Sequence, residues 1–125
     1  MSVLVWTAVV LIGGAGSVLR FYVDGLVSSA SGRDFPYGTL VVNLSGAVVL
    51  GLLTGLALGH DTALLAGTAA VGSYTTFSTM QVEILKMLGA GAWGLAAGYT
   101  AASIAAGYAA VHLATAVVRR VRVRA

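Results

Sequence analysis

Four apolar segments dominate this chain, each near the ~20 residues that a helix needs to cross a ~30 Å hydrocarbon core. They run from Leu4 to Tyr22, Gly38 to Leu58, Leu64 to Leu85 and Trp93 to Val118. In lipid every backbone N–H and C=O must be satisfied internally, so a chain of this kind folds as helices packed on helices. Of its 125 residues 58% are hydrophobic and 9% charged, where a soluble domain carries about a quarter charged. The expected class is an all-α integral membrane protein with four transmembrane helices in a single domain. There is no cysteine, which excludes disulfides and thiolate metal sites. The first segment has no basic residue before its apolar stretch and continues through Gly13-Gly14-Ala15-Gly16 to Arg20, so it reads as a retained span.

The connections differ in chemistry. Asp24 to Tyr37 is polar and contains Arg33, Asp34 and the one proline, Pro36. Gly59-His60-Asp61-Thr62 reads as a tight turn, with Gly59 ending one helix and Asp61 capping the next. Lys86 to Ala92 is a short loop with glycine, and Trp93 suits the membrane interface. Four spans put both termini on one side, with Arg119, Arg120, Arg122 and Arg124; the other side carries Arg20, Arg33 and Lys86. Orientation follows a clear excess of Lys and Arg in short flanks, and four against three is a weak one. The count predicts either cytoplasmic termini set by the tail or insertion both ways. The tail has no aromatic interleaving, and beside a span such arginines meet anionic headgroups rather than nucleic acid. Small-xxx-small spacings at Gly51/Gly55, Gly55/Gly59 and Gly94/Gly98 let helix backbones approach closely, most of them within one subunit. Four helices of this size make a poor permeation path alone, so an oligomer is expected.

The chemistry concentrates where polar groups sit at membrane depth. In the third segment, Gly72-Ser73-Tyr74-Thr75-Thr76-Phe77-Ser78-Thr79 gathers hydroxyls after a glycine. Such side chains compete for backbone hydrogen bonds, so a break near the middle of this helix is expected. A break frees carbonyl oxygens, which are hard ligands for a small cation. Phe77 and Met80 are three apart and share a helical face, with Ser78 and Thr79 turned away. That pair is either ordinary packing or a source of positively polarised ring edges for a dehydrated anion. Glu83, one turn beyond Met80, faces a vestibule or marks the interface. Arg20 is a snorkelling arginine or a fixed cation in a vestibule. Asn43, inside the second span, makes an interhelical hydrogen bond or points a donor at a permeating anion.

Three segments together resemble the fluoride ion channel (Fluc) family of small membrane proteins. They are Gly13-Gly14 through Gly16 to Arg20, then Gly38-Thr39-Leu40-Val41-Val42-Asn43-Leu44-Ser45-Gly46, and Thr75-Thr76-Phe77-Ser78-Thr79. Their order, spacing and placement on spans one, two and three fit, and the likeness covers essentially the whole chain. The resemblance implies an antiparallel, dual-topology homodimer in the plasma membrane with two narrow pores. Through these, cytoplasmic fluoride would leave passively down its electrochemical gradient, which reduces fluoride toxicity. Carried over by position, Asn43 and Phe77 line the fluoride path, Ser78 and Thr79 supply its polar track, and Arg20 serves the vestibule. Tyr99 and Ser103 match, more loosely, polar pore contacts of the fourth span. A structural sodium ion at the dimer centre would be held by the backbone carbonyls of Gly72 and Thr75, two from each subunit. The chain departs from the family at Met80, where a second phenylalanine is usual. Methionine is flexible and polarizable but has no ring edge, which raises pairing with a different homologous subunit as an alternative.

A rival of another class is a small dual-topology, proton-coupled multidrug transporter, which also needs about four spans and balanced charge. Exchange of that kind needs a titratable carboxylate within the membrane; the first two spans have none before Asp24, and Glu83 lies near the end of the third. An enzyme is not expected, because neither His60 nor His112 neighbours a credible nucleophile.

Overall fold

Helices take up nearly all of the described chain, residues 1–32 and 34–125, in a computed structural model. Arg33, part of the charge count, lies outside the described residues. In chain order the elements are α1 (Val3–Ser31), α2 (Tyr37–Leu56), α3 (His60–Ala63), a π-helical stretch (Leu64–Val71), α4 (Gly72–Tyr74), α5 (Phe77–Gly89) and α6 (Trp93–Arg124). Among the described residues there is no strand. α1, α2 and α6 are long and apolar enough to cross a membrane. The third expected span is instead assembled from pieces.

α1 continues well past Tyr22, through Asp24, to Ser31, where the sequence suggested a polar connection. Its late hydroxyls explain this: Ser29 and Ser31 donate back to the carbonyls of Gly25 and Val27, so polar residues are satisfied inside the helix. Gly32, at φ 79°, closes it with its N–H on the Ser28 carbonyl. Arg20 therefore lies inside a helix rather than near its end.

The turn between the second and third columns corrects two expectations. α2 ends at Leu56, and Ala57 rather than Gly59 takes the left-handed position, at φ 50°. Gly59 is the N-cap of α3, and Asp61 sits in its first turn without a capping hydrogen bond. Its charge there still favours the positive helix N-terminus. Likewise Lys86 falls in the last turn of α5, not in the following loop.

Small residues set the packing. α2 and α6 meet at Gly51 and Gly55. A Cβ on Gly51 would lie 2.6 Å from the Val111 carbonyl oxygen, and one on Gly55 would lie 2.7 Å from Val118 Cβ. Thr115 gives its hydroxyl to the Gly51 carbonyl at 2.9 Å. Arg122 reaches the Gly55 and Leu56 carbonyls at 3.0 and 2.8 Å, which caps the end of α2 from the end of α6. Gly59, Gly94 and Gly98 meet nothing within 4 Å, so their small faces are not spent within the subunit. The largest buried side chains cluster between α5 and α6, where Met80, Met87, Ala96 and Tyr99 pack with Phe35, Ile84 and Leu88.

Candidate functional site

The third column changes its hydrogen bonding twice. First it widens: over Leu64–Val71 the turns are π-helical, and the Gly72 N–H reaches back to the Gly67 carbonyl. Such insertions gather at functional sites. Then it stops. Thr75 (φ −76°, ψ 159°) and Thr76 (φ −145°, ψ 111°) are extended, and α5 starts anew at Phe77. The expected break is present, though Gly72 itself is still helical and the extended residues are Thr75 and Thr76. Before the break the column packs on α1 and α2; after it, α5 packs on α6.

An extended dipeptide at membrane depth leaves backbone groups that need partners. Asn43 of α2 supplies them. Its Oδ1 accepts the Thr76 N–H at 2.8 Å, and its Nδ2 donates to the Thr76 carbonyl at 3.0 Å. In a continuous helix that N–H would go to the Gly72 carbonyl, which is thereby freed. The Thr76 hydroxyl accepts the Thr79 N–H at 3.2 Å and so caps α5. Arg20 donates to the Ser73 carbonyl at 3.3 Å, which ties α1 to the last turn before the break. Glycines permit this closeness: a Cβ on Gly16 would collide with Ser73 Oγ, and one on Gly46 with Thr75 Cγ2.

Two cavities flank the break. One, of about 350 Å³, is lined by Asn43, Thr76, Phe77, Met80, Ser103 and Ile104, among others. Phe77 is 73% exposed and Met80 only 8%, so the two share a cavity but not an environment. The other, of about 230 Å³, has Arg20, Asp24, Thr39, Val42, Thr76 and Thr79 on its wall. Thr79 thus turns away from the Phe77 cavity, as its spacing predicts, and Ser78 is exposed beside Thr76, hydroxyl to hydroxyl at 3.5 Å.

Glu83 and Tyr99 form a polar knot below. Glu83 accepts hydroxyl hydrogen bonds from Thr39 and Tyr99, both at 2.7 Å. Tyr99 is fully buried and directs its hydroxyl at Glu83, so of the two fourth-span candidates only Ser103 borders the Phe77 cavity. The structure brings Asn43, Arg20, Phe77, Met80, Thr79 and Ser103 around the break and sets Glu83 with Tyr99 one layer away. Sequence reasoning placed Thr76 in the hydroxyl cluster but gave no site role to it, to Thr39 or to Asp24. Thr76 carried a signal, a hydroxyl residue just before a helix start; Thr39 and Asp24 show their roles only through partners distant in sequence.

The family profile described as CrcB-like protein, Camphor Resistance (CrcB), matches residues 7–115. The chain is similar to fluoride-specific ion channel FluC 2 of Mycolicibacterium paratuberculosis, 63% identical over 86 residues, 69% of this chain and 70% of the relative. It is also similar to FluC 1 of the same organism, 50% identical over 123 residues, 94% of this chain and 92% of the relative. FluC 2 of Mycobacterium bovis is 58% identical over 87 residues, 70% of this chain and 69% of the relative. With a profile match over nearly its full length, and relatives this similar over most of theirs, the chain belongs to the CrcB family.

Proposed function

We propose that this chain forms a fluoride-selective passive channel that lets cytoplasmic fluoride leave the cell and so lowers its toxicity. The observation that carries the reading is the break in the third column, with Asn43 paired to Thr76 and a cavity on either side, in a chain whose relatives bear the name fluoride-specific ion channel. Those names also favour a channel over a proton-coupled drug exporter. Fluoride is small and strongly hydrated, so a narrow path must replace its water with several weak donors that still release it. Asn43 gives one N–H to Thr76, which leaves Nδ2 a second to offer an anion in the cavity that it lines. Ring edges of Phe77 and the hydroxyls of Ser78, Thr79 and Ser103 continue the set, with Arg20 as the attracting cation and Glu83 with Tyr99 at the vestibule.

An antiparallel homodimer in the plasma membrane is the assembly this reading requires. Its supports are the weak charge bias, the unspent faces of Gly94 and Gly98, and the exposed Phe77 ring. The Gly72 carbonyl, left by the Thr76 N–H, suits a sodium ion shared with Thr75 and with the same pair of a second subunit, because carbonyl oxygens are hard ligands. Bound there, sodium would supply only a fixed positive charge and a tie between subunits. A second reading has its own observations. Met80 stands where the family usually has phenylalanine, and one organism holds relatives numbered 1 and 2, as a heterodimer of homologous subunits would require.

The test is fluoride efflux from liposomes that hold this single purified chain, read with a fluoride electrode against empty liposomes and a chloride control. Fluoride release without chloride release is expected. No release from the pure chain, restored by co-reconstitution with a homologous subunit, selects the heterodimer; no release in either case overturns the channel.

A further inference from the structure

The 230 Å³ cavity beside the break and a larger one, of about 450 Å³, have a residue in common. The larger cavity opens among Ser28, Asp34, Pro36, Glu83 and Lys86, and Asp24 belongs to the walls of both. Thr39 borders the small cavity and Glu83 the large one, and a hydrogen bond joins them. Asp24 and the Thr39–Glu83 pair therefore make up the partition between the two spaces.

The chain holds the Asp24 carboxylate at that partition. Asp24 lies one helical turn after Arg20, on the same face of α1. Opposite it on α2 is Gly38, where a Cβ would collide with Asp24 Oδ1 and lie 2.8 Å from Ser28 Oγ. Any larger residue at this position would push the carboxylate away.

The two acids of the partition are served differently. Glu83 accepts two short hydroxyl bonds. Among the described residues Asp24 accepts one long bond, from Ser28 at 3.4 Å, and Arg20 is engaged with the Ser73 carbonyl. Among the described residues, the other charged groups that face this space are Glu83 and Lys86 from α5 and Asp34 from the connection before α2. A sparsely bonded carboxylate on a wall common to both cavities repels any anion that crosses between them.

We propose that Asp24 limits the rate at which anions pass between the two cavities, as a fixed negative charge set against Arg20. The inference rests on the fluoride-conduction reading and adds to it a residue that slows passage where the others assist it. A unit charge a few ångströms from the path, in an effective dielectric of about 20 and partly offset by Arg20, corresponds to on the order of tenfold in rate.

The experiment compares fluoride efflux from liposomes for wild type, Asp24→Asn and Asp24→Ala at matched reconstitution, with assembly checked by gel filtration. Asp24→Asn removes the charge and keeps the shape; Asp24→Ala removes both. Both are expected to exceed wild type by on the order of tenfold. Charge is then separated from space by ionic strength. An impermeant salt screens the carboxylate and speeds wild type, and that acceleration is absent in Asp24→Asn. Unchanged or slower flux in an assembled Asp24→Asn overturns the inference, and so does faster flux that keeps the salt response of wild type. Should Asp24→Asn not assemble, Asp24→Ala is judged by the same two criteria. Failure of both to assemble makes the carboxylate a structural requirement and overturns the inference as well. Absence of flux in wild type, both alone and co-reconstituted with a homologous subunit, overturns the conduction reading and this inference together, whereas flux in wild type with unaltered variants overturns the inference alone.

Discussion

Of the two roles that the sequence left open at Asn43, the structure shows the interhelical hydrogen bond. Both ends of its amide bind the Thr76 backbone, so the residue holds the break open before it offers anything to an ion. Asn43→Asp would set a carboxylate oxygen against the Thr76 carbonyl where Nδ2 now donates. Loss of that bond, with an acceptor facing an acceptor, costs about 1–3 kcal/mol. The thermal midpoint in detergent is expected to fall together with fluoride flux; flux lost at an unchanged midpoint would assign the amide to the ion alone. Phe77 and Met80 divide the other way. Phe77, 73% exposed, contributes little to the subunit's own packing, whereas Met80 packs against Met87, Ala96 and Tyr99. Phe77→Ile should therefore keep the midpoint and lose flux. Met80→Ile should keep most flux and lose up to about 1.5 kcal/mol of stability, and Met80→Phe should restore a ring at ~1–3 kcal/mol of overpacking. Equal flux for wild type and an assembled Phe77→Ile protein would reduce the ring to packing.

The third column is where the elements depend most on one another. Its last turn before the break lies against α1 at Gly16, where a Cβ would collide with Ser73 Oγ and lie 2.7 Å from the Ala70 carbonyl oxygen. Gly16→Val is expected to push α1 outward, pull Arg20 from the Ser73 carbonyl and lower stability by at least ~1–3 kcal/mol. Gly14→Val, in the same helix with nothing within 4 Å, is the control and should leave the thermal midpoint unmoved. Two equal midpoints would mean that α1 and the broken column are not coupled there. This column also marks what the sequence could reveal. Hydroxyls after Gly72 announced a break, because the competition they set up is local. The residue that stabilises it, Asn43, is distant in sequence, and its two readings could be separated only by seeing Thr76 opposite. The π-helical widening over Leu64–Val71 left no trace, since Leu, Ala, Gly, Thr and Val suit an α-helix equally well. Charge at Asp24 cut the first span short on hydropathy, although hydrogen bonding within the helix carries α1 to Ser31.

For the whole molecule the question is which way it lies in the bilayer. Arg122 joins the end of α6 to the last carbonyls of α2, so the arginine tail and the Gly59–Thr62 turn lie on the same side. By the sequence count that side has Arg119, Arg120, Arg122 and Arg124, and Arg20, Arg33 and Lys86 are expected opposite, a margin of one. Arg20 belongs to the second count only loosely, because its guanidinium is held at the break by the Ser73 carbonyl. An antiparallel homodimer needs both orientations from one gene product, and a margin this small permits them, since orientation responds to the Lys and Arg excess in short flanks. A tag on the C-terminus should therefore be reached from both faces of the membrane in cells. Arg119→Gln with Arg120→Gln turns four against three into two against three and leaves the Arg122 cap in place. The share of tags outside is expected to rise, and fluoride efflux per cell to change only as the supply of the scarcer orientation changes. Strictly cytoplasmic tags in wild type would sink the homodimer and leave a partner of opposite orientation as the remaining way to complete the pore.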